Sequence, residues 1–580
     1  MTRWTGGPRA AVLPLLIAAW WVAAPQAPAA TIHVTSTQDH VADDGNCTLR
    51  EAVIAANEDR AVDACAKGVY IDTVVLEPGN YVLSIPGPLE NLAATGDLDL
   101  TDPVELVGQA GETHIVAAPD DRVLHVMGVN VAIRGLQLTG GDVTAQTTTP
   151  YYEEGRGGGI LLQATAPDNA ATLQLEDSTV SGNRANLGGG IATALDRSMD
   201  PYAENGFGPR TSGSTIVRST ISDNRSIGDG GGFYAQFGGA TLRSSTVSGN
   251  VAEGRGGGLS TFIGGFNLLN STIARNQAAE GGGFVSFGLS AQSGVGSTIG
   301  GSIVDGNEAA TGPDCAGSLD SLGANVISST SGCELRPRPN ANRDLLDVDS
   351  LLHPLEQNGG PTETHAIGME SPANNLYAPS NWSPFETYPF GCESTDQRGQ
   401  PRNADGGPSR CDAGAFELVE CRNMAATITG TEADDTIVGT SAVDVIHAAF
   451  GNDRIRSLGG DDVVCGGAGE DRINSGSGSD KVQGGLNADT VHAGRGDDYV
   501  RGLQAIGLGF QVPKNVTAVG LEDPDTLDGG PGDDRLLGEM SPDRLFGGPG
   551  HDNVDGGADS DLCDGGPARD RLRRCEQRPG

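Results

Sequence analysis

Apolar residues in the last part of the chain recur at a fixed interval of nine. From Gly430 to Arg573 the sequence divides into 16 consecutive nonamers, of which 14 carry Asp at the sixth position and an apolar residue or Cys563 at the eighth. The first positions are rich in glycine, which permits tight turns, and the single apolar residue is typical of a short strand that points inward. Each nonamer is therefore predicted to form half a coil of a two-sided parallel β-roll.

Two consecutive nonamers, 502–510 and 511–519, break this pattern because Gly507 and Val516 stand at their sixth positions. Together they are 18 residues long, which is one full coil, so the frame is kept on either side of them. We expect them to form either a coil without ligands or a loop that is extruded from the stack.

A longer and looser repeat runs from about Val104 to Ile327, in which a glycine triplet and an apolar strand alternate with a Ser/Thr-rich strand that ends in Asn. These asparagines recur at intervals of 41, 26, 26 and 31 residues and are Asn183, Asn224, Asn250, Asn276 and Asn307. A coil of about 26 residues with insertions is typical of a large parallel β-helix. We expect the asparagines to stack at a turn and to bond along the axis, since buried amides must be paired.

In this β-helix the residues Val180, Ile221, Val247 and Ile273 hold the same place in successive repeats and should stack as one inward ladder. The 41-residue coil contains an extra loop near Asp196–Gly213. Because insertions of this kind usually build a binding face, the loop is a candidate part of one.

The first 30 residues are predicted to be a secretory signal peptide. Arg3 and Arg9 precede an apolar run at 10–24, and residues 27–29 (APA) offer a cleavage site. The run is shorter than the roughly 20 residues that span a bilayer, and no later stretch is apolar enough to do so. We therefore expect a secreted protein without a transmembrane segment.

Residues 47–54 (CTLREAVI) have the spacing of a helix whose Leu49, Val53 and Ile54 face inward. The segment resembles the CSLREA motif near the start of many secreted bacterial β-helix proteins, with Thr in place of the motif's Ser. The resemblance implies a capping helix that covers the open first coil. In that setting Arg50 would be structural rather than catalytic.

After the β-helix, residues 355–365 (LEQNGGPTETH), 396–402 (DQRGQPR) and 411–417 (CDAGAFE) resemble the choice-of-anchor Q region. That region closes the C-terminal end of many bacterial β-helix proteins. The chain departs from it at 371–375 (SPANN), where the family usually has Ile-Asp after Ser-Pro-Ala.

The predicted fold is all-β: a right-handed parallel β-helix of the pectin-lyase-like kind, followed by a calcium-binding parallel β-roll. The predicted divisions are a signal peptide at 1–30, an N-terminal cap with the helix and first coils at 31–103, the β-helix at 104–330, the closing region at 331–420 and the roll at 421–580.

Export makes the ten cysteines interpretable as disulfides. They fall into close pairs, and we expect pairing in sequence order: Cys47–Cys65, Cys315–Cys333, Cys392–Cys411, Cys421–Cys465 and Cys563–Cys575.

The composition excludes several classes of protein. With 88 glycines and 4% aromatic residues, the chain suits a turn-dense repetitive β architecture rather than an ordinary helical enzyme. The formal net charge is −39, and the lysines are Lys67, Lys481 and Lys514. Since phosphate binding needs clustered Lys and Arg, we expect no nucleic-acid partner, and anionic membranes are disfavoured as well.

The recurring Asp residues are the candidate metal ligands. Carboxylates and turn carbonyls are hard oxygen donors, which suit Ca²⁺ better than Zn²⁺ or Cu²⁺. The nonamers resemble the hemolysin-type (RTX) calcium-binding repeat G-G-x-G-x-D-x-U-x, and this resemblance implies several bound Ca²⁺ ions. The pattern GGxGxD is complete at the turns before Asp471, Asp534 and Asp552, the strongest candidates. The full set is Asp435, Asp444, Asp453, Asp462, Asp471, Asp480, Asp489, Asp498, Asp525, Asp534, Asp543, Asp552, Asp561 and Asp570.

We therefore expect a secreted calcium-binding solenoid protein, a cell-surface or extracellular adhesin or matrix-type binding protein in which Ca²⁺ folds and stabilises the roll. Its predicted partners are calcium and extracellular glycans or cell surfaces. The alternative is an extracellular polysaccharide lyase or glycoside hydrolase that uses a face of the β-helix. The stretch 104–327 contains no Lys and no close Asp set of the hydrolase kind, so we assign no catalytic residue.

Overall fold

The fold consists of two parallel solenoids in series. The predicted signal peptide and almost all of the candidate loop at 196–213 lie outside the described residues. The computed structural model describes residues 30–87, 91–117, 120–145, 155–166, 169–195, 213–286, 296–338, 343–368, 370–376, 393–402, 411–421, 424–431, 433–502, 524–538, 542–558 and 560–576.

The first solenoid is a parallel β-helix with three sheets. The strands of its first sheet are Ala30–His33, Asp72–Val75, Leu98–Leu100, Val104–Val107, Leu124–Met127, Asn130–Arg134, Ile160–Ala164, Thr172–Glu176, Ile191–Leu195, Ser214–Val217, Phe233–Arg243, Leu259–Leu269, Phe284–Ser286, Ser297–Gly300, Cys315–Gly323 and Cys333–Pro337. The strands of its second sheet are Gly79–Val82, Thr113–Val116, Gln137–Thr139, Thr179–Ser181, Thr220–Ser222, Thr246–Ser248, Thr272–Ala274, Ile303–Asp305, Val326–Ile327 and Leu345–Leu346. Those of its third sheet are Arg184–Ala185, Arg225–Ser226, Val251–Ala252, Gln277–Glu280 and Glu308–Thr311.

The second solenoid is a two-sided parallel roll. The strands of the first roll sheet are Ile428–Thr429, Val445–His447, Val463–Ala468, Lys481–Leu486, Tyr499–Arg501, Arg535–Leu537, Asn553–Asp555 and Arg571–Arg573. The strands of the second roll sheet are Thr436–Val438, Arg454–Arg456, Arg472–Asn474, Thr490–His492, Thr526–Asp528, Arg544–Phe546 and Leu562–Asp564. Two short antiparallel hairpins precede the roll, formed by Leu355–Glu356 with Thr364–His365 and by Glu420–Cys421 with Met424–Ala425.

Apolar ladders form the core of each solenoid. In the β-helix, Val180, Ile221, Val247 and Ile273 are in register in neighbouring strands and fully buried, so the predicted inward ladder is confirmed. In the roll, 13 of the 14 apolar or Cys side chains at the eighth position are buried in one cluster, and Leu572 packs partly buried against it. One residue per half coil makes this second core thin.

The predicted asparagine ladder is also confirmed. The backbone N–H and the side-chain amide of Asn224 both donate to Oδ1 of Asn250 at 3.0 Å, and Asn250 repeats this bond with Asn276. The ladder ends at Asn307, whose amide donates to Asp314 Oδ1 at 2.9 Å. Each amide thus supplies both the donor and the acceptor that its neighbours need.

The N-terminal helix is Leu49–Asn57, and Thr48 caps it through a reciprocal pair of hydrogen bonds with Glu51. Its predicted inward residues are buried, and so is Arg50. The Arg50 guanidinium donates to the backbone carbonyls of Gly96 at 2.8 Å and Asp97 at 3.3 Å. It is therefore a structural link between the helix and the loop that enters the next coil.

The region predicted to close the β-helix lies along a side of the stack. Thr220, Thr246 and Thr272 are in register on the outward face of the second sheet, because their neighbours in sequence form the inward ladder. Thr220 donates to the carbonyl of Glu363 at 2.8 Å, and Thr246 donates to Gln397 at 2.7 Å. The closing segments therefore cover a lateral face of successive coils.

The strands on either side of the two irregular nonamers, 502–510 and 511–519, are hydrogen-bonded to each other. Strand Thr490–His492 pairs with Thr526–Asp528, and Tyr499–Arg501 pairs with Arg535–Leu537. Most of the intervening stretch, 503–523, lies outside the described residues. These pairings leave no place for a further strand between the flanking strands, and the residues to which the two alternatives apply lie almost wholly outside those described.

Disulfides fasten the ends of both solenoids. The cysteine Cys392 lies outside the described residues, while Cys411 is disulfide-bonded. The four predicted pairs that the structure shows are Cys47–Cys65, Cys315–Cys333, Cys421–Cys465 and Cys563–Cys575.

Among the described residues, no helix is long and apolar enough to cross a bilayer.

We expect Asn250→Ala to lower the free energy of unfolding by about 3 kcal/mol, because it leaves two buried donors of Asn224 without their acceptor. The matched control is Asn267→Ala on the exposed side of the first sheet, which should change stability by less than about 0.5 kcal/mol. Urea unfolding in excess Ca²⁺, followed by circular dichroism, measures both. Equal losses in the two variants would contradict a structural role for the ladder.

Candidate metal centre

The Asp at the sixth position of each nonamer stands just before a strand, where the coil turns. The 14 predicted ligands therefore form two columns, one along each side of the roll. Column one, before the strands of the second roll sheet, contains Asp435, Asp453, Asp471, Asp489, Asp525, Asp543 and Asp561. Column two, before those of the first roll sheet, contains Asp444, Asp462, Asp480, Asp498, Asp534, Asp552 and Asp570.

One carboxylate oxygen of each Asp after the first coil accepts a hydrogen bond from the backbone of the preceding coil. The N–H of Asp453 donates to Oδ1 of Asp471 at 2.9 Å, and the N–H of Asp471 donates to Oδ1 of Asp489 at 2.9 Å. The same bond recurs at every step of both columns, including the two steps that cross residues 503–523. The columns are thus continuous along the roll.

The second carboxylate oxygen points into the turn. An ideal Cβ on Gly466 would lie 2.4 Å from Oδ2 of Asp471 and 2.4 Å from the carbonyl oxygen of Gly484. Gly467 and Gly469 have φ angles of 111° and 135°, a conformation that other residues rarely adopt. The glycines of the repeat therefore keep a space free beside carboxylate and carbonyl oxygens.

Several of these second oxygens are buried and lack a hydrogen-bond donor among the described residues. Their side chains are at most 3% exposed. A buried carboxylate oxygen without a donor or cation is costly, and the next coil repeats the same charge. The residues concerned are Asp453, Asp462, Asp471, Asp498, Asp534 and Asp552.

The first coil of the roll differs from the rest. Thr431 stands at the second position of its nonamer, and its backbone N–H and its hydroxyl donate to Oδ2 of Asp435 at 2.6 and 3.0 Å. Thr440 does the same for Asp444, at 2.6 and 3.1 Å. In these two predicted ligands the second oxygen has protein donors, so neither needs a cation to satisfy it.

The last coil ends on a residue outside the nonamer pattern. The N–H of Asp561 donates to Oε2 of Glu576 at 2.9 Å, where the next Asp of column one would otherwise stand. Sequence reasoning missed Glu576 because it falls outside the frame. The signal that could have found it is the Cys563–Cys575 pair, which brings the chain back over this coil.

Comparison with known families agrees with this geometry. A family model described as the RTX calcium-binding nonapeptide repeat matches four copies, at residues 429–464, 466–500, 517–540 and 541–572. The C-terminal part of this chain is made of RTX repeats. No curated protein matches the chain.

RTX repeats bind Ca²⁺, and the residues present fit that ion. The orphaned Oδ2 atoms and the turn carbonyls form an all-oxygen donor set, which Ca²⁺ prefers. A bound cation would supply the positive charge that the stacked carboxylates lack. Asp471 and Asp534 belong to turns in which an orphaned Oδ2 and a turn carbonyl both lie beside a first-position glycine.

Burial raises the pKa of Asp471 and Asp534 to about 7 and that of Asp453 to about 6. The negative charge of neighbouring Asp residues in the column adds to this effect, while the backbone N–H bond opposes it. In the metal-free roll Asp471 and Asp534 are therefore about half protonated near pH 7, and Asp453 takes up its proton about one pH unit lower.

We expect the metal-free RTX roll to be more stable at pH 5 than at pH 7.5. An unfolded Asp has a pKa of about 3.9, so the folded state binds more protons between about pH 4 and pH 7 and loses stability as the pH rises through that window. Hydrogen exchange of the roll peptides of the full chain in EDTA measures this. Weaker protection at pH 5 than at pH 7.5 would contradict it, and excess Ca²⁺ should restore protection at pH 7.5.

We expect Asp471→Ala combined with Asp534→Ala to lower calcium affinity by about tenfold or more, because each removes a charged ligand, while the β-helix stays folded. The matched control is Glu470→Ala with Asp533→Ala, which removes two exposed carboxylates at the fifth positions of the same repeats. Calorimetric titration with Ca²⁺ compares the two. An unchanged titration of the first variant would refute the site assignment.

Proposed function

We propose that this chain is a secreted adhesin or matrix-type binding protein whose RTX roll is folded by Ca²⁺ outside the cell. The observation that carries the proposal is the double column of buried carboxylates with orphaned oxygens. Because the roll has a thin core and stacked charge, a cation that binds only the folded form shifts its folding equilibrium. Calcium is scarce in the cytoplasm and plentiful outside, so folding would follow export.

Disulfides support the extracellular location. Four are present among the described residues, and such bonds persist in oxidising compartments. The predicted signal peptide at 1–30 is consistent with this route. Together they favour secretion and then folding of the roll in calcium-rich surroundings.

The first solenoid fits the proposed relationship to secreted bacterial β-helix proteins. The CSLREA-like segment forms a capped helix against the first coils, with Leu49 and Val53 buried. The choice-of-anchor Q-like segments form a buried polar network on the second sheet, in which Gln397 contacts Thr220 and Thr246. The capped helix supports the CSLREA-like role, whereas the choice-of-anchor Q-like segments cover a lateral face of the coils rather than the C-terminal end.

A patch of arginines on the roll supports an anionic glycan as the partner. Arg454, Arg456 and Arg472 lie exposed on the outward face of the second roll sheet, in two adjacent strands. None of the three has an ion pair with a described residue. In a chain with a net charge of −39 this arginine patch is a local positive surface, and guanidinium groups at strand spacing suit a polymer with repeated carboxylate or sulfate groups.

We expect the full chain in Ca²⁺ to be retained on immobilised dextran sulfate, and Arg454→Glu with Arg472→Glu to weaken retention by about tenfold. The matched control, Arg544→Glu with Arg571→Glu, carries the same charge change away from the arginine patch and should bind nearly as wild type does. Binding is measured as elution at increasing salt.

Equal loss in both double variants would show that only net charge matters and would remove the arginine patch from the proposal. If the wild type binds neither sulfated nor carboxylated polysaccharides, a glycan-binding role is contradicted. Release of reducing sugars from a polysaccharide would instead support the lyase or hydrolase alternative.

A further inference from the structure

A second group of metal-ligating side chains lies far from the RTX columns, at the start of the β-helix. One carboxylate oxygen each from Asp97 and Asp99 and a ring nitrogen of His125 lie within 4.8 Å of one another. The three residues are 3%, 0% and 3% exposed. A buried group of this composition differs from an exposed acidic patch, since each carboxylate has lost its hydration.

The fold brings these residues together from two coils. Asp97 and Asp99 flank Leu98, whose side chain is in the apolar core, so the two carboxylates share the opposite side of the strand. Strand Leu98–Leu100 pairs in parallel with Leu124–Met127, and this register places Asp99 beside His125. The juxtaposition is therefore set by the sheet and does not depend on a loop.

Neighbouring groups fix the positions of the ligands. Arg50 donates to the carbonyl of Asp97, and Asn57 donates to the carbonyl of Asp99 at 2.7 Å. The N–H of Ala93 donates to Oδ2 of Asp99 at 2.8 Å. The capping helix and the loop before the strand thus hold the two aspartates in place while leaving Oδ1 of Asp99 directed at His125.

The contact between Asp99 and His125 has the form of two ligands facing one ion. Nε2 of His125 lies 2.8 Å from Oε1 of Gln163, an acceptor, so Nε2 is the ring nitrogen placed to donate. Nδ1 lies 3.2 Å from Oδ1 of Asp99. That oxygen has no hydrogen-bond donor among the described residues. A ring nitrogen and a buried carboxylate oxygen at this distance are placed to bind one cation together.

The charged groups nearby also favour a bound cation. Asp97, Asp99 and the buried Asp121 bring three carboxylates to a region where the guanidinium of Arg122 lies 3.6 Å from Oδ2 of Asp97. Arg50, which contacts the backbone carbonyl of Asp97, is itself paired with Asp39, so Arg122 is the guanidinium that faces these carboxylates. A buried negative charge of this kind favours a divalent cation over an empty space.

We propose that Asp97, Asp99 and His125 form a second metal site, which takes a divalent ion of the Zn²⁺ class and is separate from the calcium sites of the roll. An imidazole nitrogen and carboxylate oxygens are both zinc ligands, whereas Ca²⁺ takes oxygen ligands. The bond from Nε2 to Gln163 is the outer contact that orients a metal-binding histidine.

The test uses the full chain with Ca²⁺ in excess, so that the RTX columns are occupied, and Co²⁺ as a spectroscopic substitute for Zn²⁺. We expect one Co²⁺ per chain with visible absorption bands, displaced by Zn²⁺. His125→Asn should lower the affinity by about tenfold or more, and Asp99→Asn should do the same. The matched control is His114→Asn, which removes a half-buried imidazole from the second sheet and should change nothing.

Failure of the calcium-loaded wild type to bind Co²⁺ would overturn the site, as would unchanged Co²⁺ binding by His125→Asn. If circular dichroism shows that either variant is unfolded, X-ray absorption of the zinc-loaded wild type decides. A shell that contains an imidazole nitrogen supports the proposal, and a shell of oxygen atoms alone places the ion in the roll and overturns it.

Discussion

Every buried polar row in a solenoid must be satisfied along the axis, because each coil touches only the coils before and after it. The chain meets this constraint in two ways. An asparagine such as Asn250 both donates and accepts, so its row is complete without help. An aspartate such as Asp471 only accepts, so one oxygen takes a backbone N–H and the other is left over. The difference between NH₂ and O⁻ therefore leaves the asparagine row complete and gives the aspartate rows an oxygen that a bound cation can satisfy.

The periodic parts of both solenoids could be predicted from sequence because their geometry repeats. A fixed nine-residue frame places Ile473 inward and Asp471 at the turn without any knowledge of the rest of the chain. The asparagine row follows in the same way. What escaped prediction lies where the repeat stops: Thr431 satisfies the first carboxylate, and Glu576 receives the last backbone donor. Thr431 and its counterpart Thr440 are confined to the first two nonamers, and Glu576 lies outside the frame, so the nine-residue period does not reveal these contacts.

Contacts across distant segments were also beyond reach. The motif at 396–402 indicated a closing region, but the face that it covers depends on Thr220 and Thr246, more than a hundred residues earlier. The pairing of Asp99 with His125 depends on a strand register that the first coils, which are irregular in length, do not show in sequence. Spacing alone locates residues within a coil. Only the stacked structure shows which coils become neighbours.

The direct pairing of strands Thr490–His492 and Thr526–Asp528 has a consequence for how such a roll can change. Because the coils on either side already pair with each other, the stacking of the roll does not fix the length of the stretch between them. Foreign sequence could therefore be inserted at this point without changing the register of the Asp columns.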